Sequence, residues 1–324
     1  MPCNGGTQVA VPDPFDSGRK KLDGSNKPAT IQTWQKAGEC PEGTVPMMRS
    51  DKENHDSYAL GRMKRFPPMG VNDTYAIDEV VRRDAGHQYA VVKTQKGAYY
   101  GGGAAFNIWQ PNVEQRYEYS LAQMWLVSEE DGGLTNTMEV GWHVFPTLHN
   151  EDKNPRIFIY WTSDDYSKTG CYNLECVGFV LVGRKVVIGG AISPSIRDSA
   201  QTSLSLSIQK SASTGNWWLH VADEIVGYWP SSIFTGALHD HAELIQWGGE
   251  IIDFGRGGRH TATEMGSGHF PFEGVNRAAY VELVQVVDKP GGALVDAGTL
   301  TSRITNSKCY DLKINEYGKL YIGE

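Results

Sequence analysis

From about residue 87 onward, apolar positions come in short stretches punctuated by Gly, Pro and Asn, the spacing of strands joined by turns in a sandwich or barrel. Ser203-Leu-Ser-Leu-Ser-Ile is the clearest of them: Leu204, Leu206 and Ile208 share one face and the serines the other, a pattern of period two that a helix cannot bury. Arg156-Ile-Phe-Ile-Tyr-Trp-Thr and Lys185-Val-Val-Ile predict further strands, the first with large side chains on both faces. Helical periodicity is scarce. Residues 237–245 support one or two helical turns, which Trp247-Gly-Gly would end. There is no internal repeat and no low-complexity tract.

Before that body the texture differs. Residues 1–86 are rich in Lys, Asp, Asn, Pro and Gly, with breaks at Pro67-Pro68 and Arg82-Arg83. They read as a separate, poorly structured leader over 1–80, ahead of a working domain over 87–324. Asn72-Asp-Thr in the leader is a glycosylation triplet of the kind that chance often produces.

Composition narrows the function classes. Apolar residues are 40% and charged residues 21% of the 324, as in ordinary folded proteins, and the aromatic share is 10%. The formal charge of −8 disfavours a nucleic-acid partner. No run approaches the roughly 18 apolar residues that span a bilayer, so no membrane partner is expected, and Met-Pro-Cys-Asn-Gly-Gly does not read as a signal peptide. Among five cysteines, Cys171 and Cys176 bracket Tyr-Asn-Leu-Glu, a loop that a disulfide can close; two reduced thiols are the alternative.

Two glutamates carry the candidate chemistry. Taken as a strand, Thr137-Met-Glu-Val-Gly-Trp-His-Val puts Met138, Val140, Trp142 and Val144 on one face and Thr137, Glu139, Gly141 and His143 on the other. A glutamate on a polar strand face is ordinarily surface, but Gly141 leaves room beside Glu139, as a cleft floor requires. In Ile245-Gln-Trp-Gly-Gly-Glu-Ile-Ile two glycines precede Glu250, and with the strand phase unbroken Gln246, Gly248 and Glu250 share a face. Two carboxylates in one cleft suit hydrolysis, one activating water and the other donating a proton to the leaving group, provided that their surroundings differ. Trp125, Trp142, Trp161 and Trp247 are the nearby groups able to desolvate one of them.

Other motifs are weaker. Tyr99-Tyr-Gly-Gly-Gly-Ala-Ala-Phe-Asn lacks the Lys-Ser or Lys-Thr of a phosphate loop and reads as a turn or strand. His239-Asp-His241 has a ligand-like spacing but no third ligand, and no metal site is expected. Ser193-Pro-Ser and Gly266-Ser-Gly do not complete a nucleophile elbow. Trp217-Trp218 and Tyr228-Trp229-Pro230 are either sugar-stacking platforms or core, with core favoured.

Longer segments resemble a known family. Asn107-Ile-Trp-Gln-Pro, Glu118-Tyr-Ser-Leu-Ala-Gln-Met-Trp, Glu139-Val-Gly-Trp, Tyr160-Trp-Thr-Ser-Asp, Cys171-Tyr-Asn-Leu-Glu-Cys, Gly215-Asn-Trp-Trp, Gly227-Tyr-Trp-Pro, Trp247-Gly-Gly-Glu and Met265-Gly-Ser-Gly-His-Phe-Pro resemble, in order, the neprosin catalytic domain. The resemblance runs from about Gln88 to Asp311. Ile31-Gln-Thr-Trp-Gln and Cys40-Pro-Glu-Gly-Thr-Val-Pro resemble the activation segment that precedes it.

That resemblance implies an all-β fold, an antiparallel β-sandwich of two large packed sheets. It also implies a secreted, acid-active, monomeric glutamic endopeptidase without metal or organic cofactor, made as a zymogen and acting on peptide or protein substrates. Cleavage after proline is known in the family. The two catalytic glutamates fall on Glu139 and Glu250, and the resemblance supports the Cys171–Cys176 bridge. Gln123 and Tyr228 are further candidates for orienting the carbonyl or shaping the specificity pocket, with Trp125, Trp142 and Trp247 beside them as substrate contacts. A two-carboxylate glycosidase and a non-catalytic extracellular binding module are the rival functions.

Overall fold

A computed structural model describes residues 3–5, 32–48, 86–129, 134–255, 259–315 and 317–324. The expected processing point near residue 80, the Arg82-Arg83 break and the Asn72 triplet lie outside the described residues. No described helix is long and apolar enough to cross a membrane. Helical structure among the described residues is confined to short 3-10 turns, and the rest of the regular structure is strand. In chain order the strands are β1 (Cys3–Gly5), β2 (Thr44–Pro46), β3 (His87–Lys93), β4 (Gly101–Asn107), β5 (Ser120–Glu129) and β6 (Thr135–Val144). Then come β7 (Arg156–Thr162), β8 (Val180–Leu181), β9 (Ser203–Lys210), β10 (Trp217–Val221), β11 (Glu224–Trp229) and β12 (Leu244–Ile252). β13 (Ala279–Val287), β14 (Val295–Asp296), β15 (Thr301–Ile304), β16 (Asp311–Ile314) and β17 (Leu320–Gly323) close the series.

Two large antiparallel sheets form the expected sandwich. One has six strands in the order β15-β3-β12-β5-β6-β7; the other has nine, β16-β17-β13-β4-β9-β10-β11-β8 with β14 added beside β13. Alternation decides what lies between them. Leu204, Leu206 and Ile208 of β9 meet Met138, Val140 and Trp142 of β6, Ile157 and Ile159 of β7, and Ile245 and Trp247 of β12 in one continuous core. Each fully buried large side chain there contributes roughly 1.5–3 kcal/mol of apolar burial. A second cluster, including Tyr89, Tyr119, Trp125, Phe158 and Tyr172, covers the opposite face of the six-stranded sheet.

Two local expectations need correction. The helical stretch at 237–245 is a single 3-10 turn, Gly236–His239, and β12 then runs straight through Trp247-Gly-Gly. Lys185-Val-Val-Ile is buried at its three apolar positions but is not a strand. Its ladder partner is a side chain: the Gln32 amide donates to the Val187 carbonyl at 2.8 Å and accepts from the Val187 N–H at 2.9 Å. Gly190 makes room for this, since a Cβ there would lie 2.4 Å from Gln32 Nε2. The part of the leader around Gln32 is thereby built into the body, and Val45 of β2 packs in the main core.

Candidate active site

Alternation along β6 sends Thr137, Glu139, Gly141 and His143 to the face of the six-stranded sheet that is turned away from the nine-stranded one. β12 keeps its phase through both glycines, so Gln246, Gly248 and Glu250 point the same way. The ladder ties them together. Gly248 pairs with Gln123 of β5, and Gln123 pairs with Gly141 of β6. On one side of this row Trp125 pairs with Glu139; on the other Leu121 pairs with both Glu250 and His143. The two glutamates thus occupy opposite ends of a diagonal whose midpoint is the Gln123 amide, flanked by two residues without side chains.

The glycines are required by close approach. A Cβ on Gly141 would sit 2.1 Å from the Ala122 carbonyl oxygen and 2.5 Å from Gln123 Cβ, and one on Gly248 would sit 2.3 Å from the Ala90 carbonyl oxygen.

Both carboxylates are almost fully buried, Glu139 at 0% and Glu250 at 1% exposure. Glu139 accepts hydrogen bonds from Gln123 Nε2 at 3.0 Å, the Thr137 hydroxyl at 3.0 Å and the Tyr166 hydroxyl at 2.8 Å. Oε1 of Glu250 accepts from the Tyr119 hydroxyl at 2.5 Å and lies 2.6 Å from His87 Nδ1. Burial alone does not mark a reacting carboxylate. Glu118 is equally buried, but its donors are the N–H groups of Gln115 and Phe254 and the hydroxyls of Thr261 and Thr263, so it ties loops together. Glu139 and Glu250 differ in sharing one sheet face across a row emptied by glycines.

Tyr166 reaches Glu139 from a loop with an unusual backbone. Asp165 and Tyr166 both have left-handed φ values, 58° and 56°, each unfavourable by about 1–2 kcal/mol for a residue with a Cβ. The Asp164 carboxylate offsets this by accepting from the N–H groups of Ser167, Lys168 and Thr169 and from the Thr169 hydroxyl. Burial pushes the Asp164 carboxyl up, yet these hydrogen bonds outweigh it and hold the group below its ordinary value. The Cys171–Cys176 disulfide closes the next loop, and Tyr172 within it packs against Tyr160 at 5.0 Å and His143 at 5.9 Å. Cys40 is also disulfide-bonded, whereas Cys309 is a free, half-buried thiol.

Of the expected substrate contacts, Gln123 and Trp125 lie on the glutamate face. Three do not. Trp142 and Trp247 belong to the core between the sheets, one residue out of phase with the glutamate face, and the Trp142 indole donates to the Asn107 carbonyl at 3.1 Å. Tyr228 stands in the other sheet, tilted against Trp218 at 4.7 Å. Trp161 is likewise in the core. No group of three His, Cys, Asp or Glu side chains among the described residues is placed to hold a metal, and His239 instead meets its neighbour Asp240 at 3.1 Å on the surface.

Sequence reasoning missed His87, Tyr119 and Tyr166. Strand parity offers a signal for Tyr119, two residues before Leu121. His87 is 163 positions from Glu250 and Tyr166 sits in an irregular loop, so neither leaves a local pattern.

The Neprosin family profile matches residues 116–323, well over half of the chain and including both glutamates. The chain belongs to the neprosin family. Among solved structures it is similar to Scytalido-glutamic peptidase with a peptide-based transition state analog, at 12% identity over 74% of this chain and 98% of that chain, with a TM-score of 0.40. It is also similar to SCP-B, a member of the Eqolisin family of peptidases in complex with the tripeptide Ala-Ile-His, at 10% identity over 74% of this chain and 98% of that one, with a TM-score of 0.38.

Proposed function

We propose that this neprosin-family chain is a glutamic endopeptidase in which Glu139 and Glu250 are the acid–base pair. Family membership supports a peptidase of the glutamic type. The observation that carries the two-glutamate reading is the burial of both carboxylates on one sheet face, either side of the Gly248–Gln123–Gly141 row. Burying two acidic groups disfavours folding unless they are compensated, and such arrangements concentrate at reacting sites.

The register separates the two α-carbons by two strands and four residues, on the order of 15 Å. In this reading a peptide bond and a water lie between the two carboxylates. One carboxylate takes a proton from that water as its oxygen adds to the scissile carbonyl carbon. The other, protonated, donates to the leaving nitrogen as the C–N bond breaks, giving an acid and an amine. Gln123, between them, donates in this reading to the carbonyl oxygen as negative charge develops there. Trp125, beside Glu139, makes that end of the cleft apolar.

The finer reading follows the family resemblance: secretion as a monomeric zymogen, loss of residues up to roughly 80 at acid pH, and cleavage after proline. The test is hydrolysis by acid-treated protein of a proline-containing peptide alongside a panel of glycosides, with mass spectrometry reading the new N-terminus and the bond cut. Glu139→Gln and Glu250→Gln should each lower kcat at least about a hundredfold. Activity retained in either variant, or glycoside cleavage in place of peptide cleavage, would refute the reading.

A further inference from the structure

We infer that His87 is a positioning residue for Glu250, holding its carboxylate in the orientation and charge state in which it reacts. This rests on the dyad reading above. His87 opens β3 and is only 4% exposed. The ladder fixes its place: His87 pairs with Ile252, two residues beyond Glu250 and on the same face.

The contacts around Oε1 favour one arrangement of the proton. The Tyr119 hydroxyl donates to Glu250 Oε1 at 2.5 Å and lies farther, 3.2 Å, from His87 Nδ1. His87 Nδ1 is 2.6 Å from the same oxygen, so a proton lies between them. An oxygen that already accepts from the tyrosine is a poor place for that proton, and the arrangement is satisfied with Nδ1–H donating to a carboxylate. Among the described residues, the titratable groups facing the imidazole are Glu250 from β12, Tyr119 from the segment before β5 and Tyr89 on its own strand, whose ring stacks at 6.2 Å and 13° and carries the Arg303 guanidinium of β15 over it at 5.9 Å. With Nδ1–H donating, the contact favours the ionised form of Glu250 over its protonated form. Two donors on one oxygen also restrain the carboxylate.

The test is steady-state hydrolysis, between pH 3 and 7, of a peptide that the acid-treated wild type cleaves. His87→Asn keeps an N–H donor without the charge; His87→Leu removes both. We expect His87→Leu to lose at least about a hundredfold in kcat with KM within about threefold. His87→Asn should retain part of that activity, with the acid limb of kcat/KM displaced upward by about one pH unit. A wild-type acid limb and kcat in His87→Asn would overturn the proposal, as would a loss confined to KM. Should His87→Leu fail to fold, His87→Asn alone decides. Glu250→Gln, assayed in parallel, separates the two claims. If it is inactive while His87→Asn behaves as wild type, the dyad stands and His87 is structural; if it is active, the dyad itself fails.

Discussion

Gly141 and Gly248 pair with the same residue, Gln123, from opposite sides, and each has a backbone carbonyl where its Cβ would be. The pairing makes the floor between the glutamates a bare strip carrying a single amide. Gly141→Ala is therefore an overpacking change against backbone, which nothing flexible can relieve. It should destabilise by about 3 kcal/mol and displace Gln123. Urea unfolding checks the first part and kcat of the folded fraction the second; an alanine tolerated within 0.5 kcal/mol, as is usual for surface changes, would show that β5 and β6 are not so closely joined.

Gln123 should act in the transition state and not in substrate binding. Its Nε2 donates to Glu139 Oε2 at 3.0 Å, so the amide is already held against that carboxylate. Replacing it with Leu, of similar volume, removes the donor without leaving a void. The expected loss is about 100-fold to 1,000-fold in kcat with KM little changed. A variant that raises KM at constant kcat would assign Gln123 to uniform binding.

What the sequence carried and what it did not divides by the range of the interaction. Alternation along β6 separated Glu139 and Gly141 from Trp142, and the unbroken phase of β12 put Glu250 with Gly248; both are properties of consecutive residues. The same parity excludes Trp142 and Trp247 from the glutamate face, so their expected role as substrate contacts contradicted the strand pattern itself. Tyr228 was beyond local reading, because nothing in its neighbours says which sheet a strand joins. Lys185-Val-Val-Ile reads as a strand because its apolar burial is real, but its hydrogen-bonding partner is a glutamine side chain 155 positions away. The ring of donors around the carboxylates, His87 and Tyr166 above all, depends on pairing and loop conformation that no period of two encodes.

That glutamine gives a prediction for the leader. Gln32 is 1% exposed and satisfies both the N–H and the C=O of Val187. In the full chain Gln32→Ala leaves both groups buried without those partners and should lower the unfolding free energy by about 2 kcal/mol. Denaturant titration of the two proteins reads this directly. An unchanged midpoint would mean that water replaces the amide and that this part of the leader is only loosely held.

The last prediction sets stability against the acid pH proposed for activity. His143 lies on the glutamate face, its ring stacked on Phe158 at 4.5 Å and 7°, and its Nε2 is 2.9 Å from Nε2 of His149. One of the two must be neutral to accept. Burial, with the nearby Arg156 charge adding to it and Asp152 opposing, lowers His149 from its ordinary value of 6.5 to about 3. Its folded value lies below its unfolded one, so the unfolded chain takes up a proton first. The stability that neutral His149 provides is complete above about pH 6.5 and is lost progressively as pH falls toward 3. The full shift corresponds to roughly 5 kcal/mol, and the partial exposure of the ring reduces this to on the order of 2–3 kcal/mol. Unfolding free energies of the wild type and His149→Gln, measured at pH 7 and pH 4, should therefore converge as pH falls, with the wild type losing more. Parallel pH dependences would remove His149 as the acid-sensitive element. Convergence would place a weak point of the glutamate face in the pH range where the enzyme is proposed to work, with the His143–His149 contact the first to open.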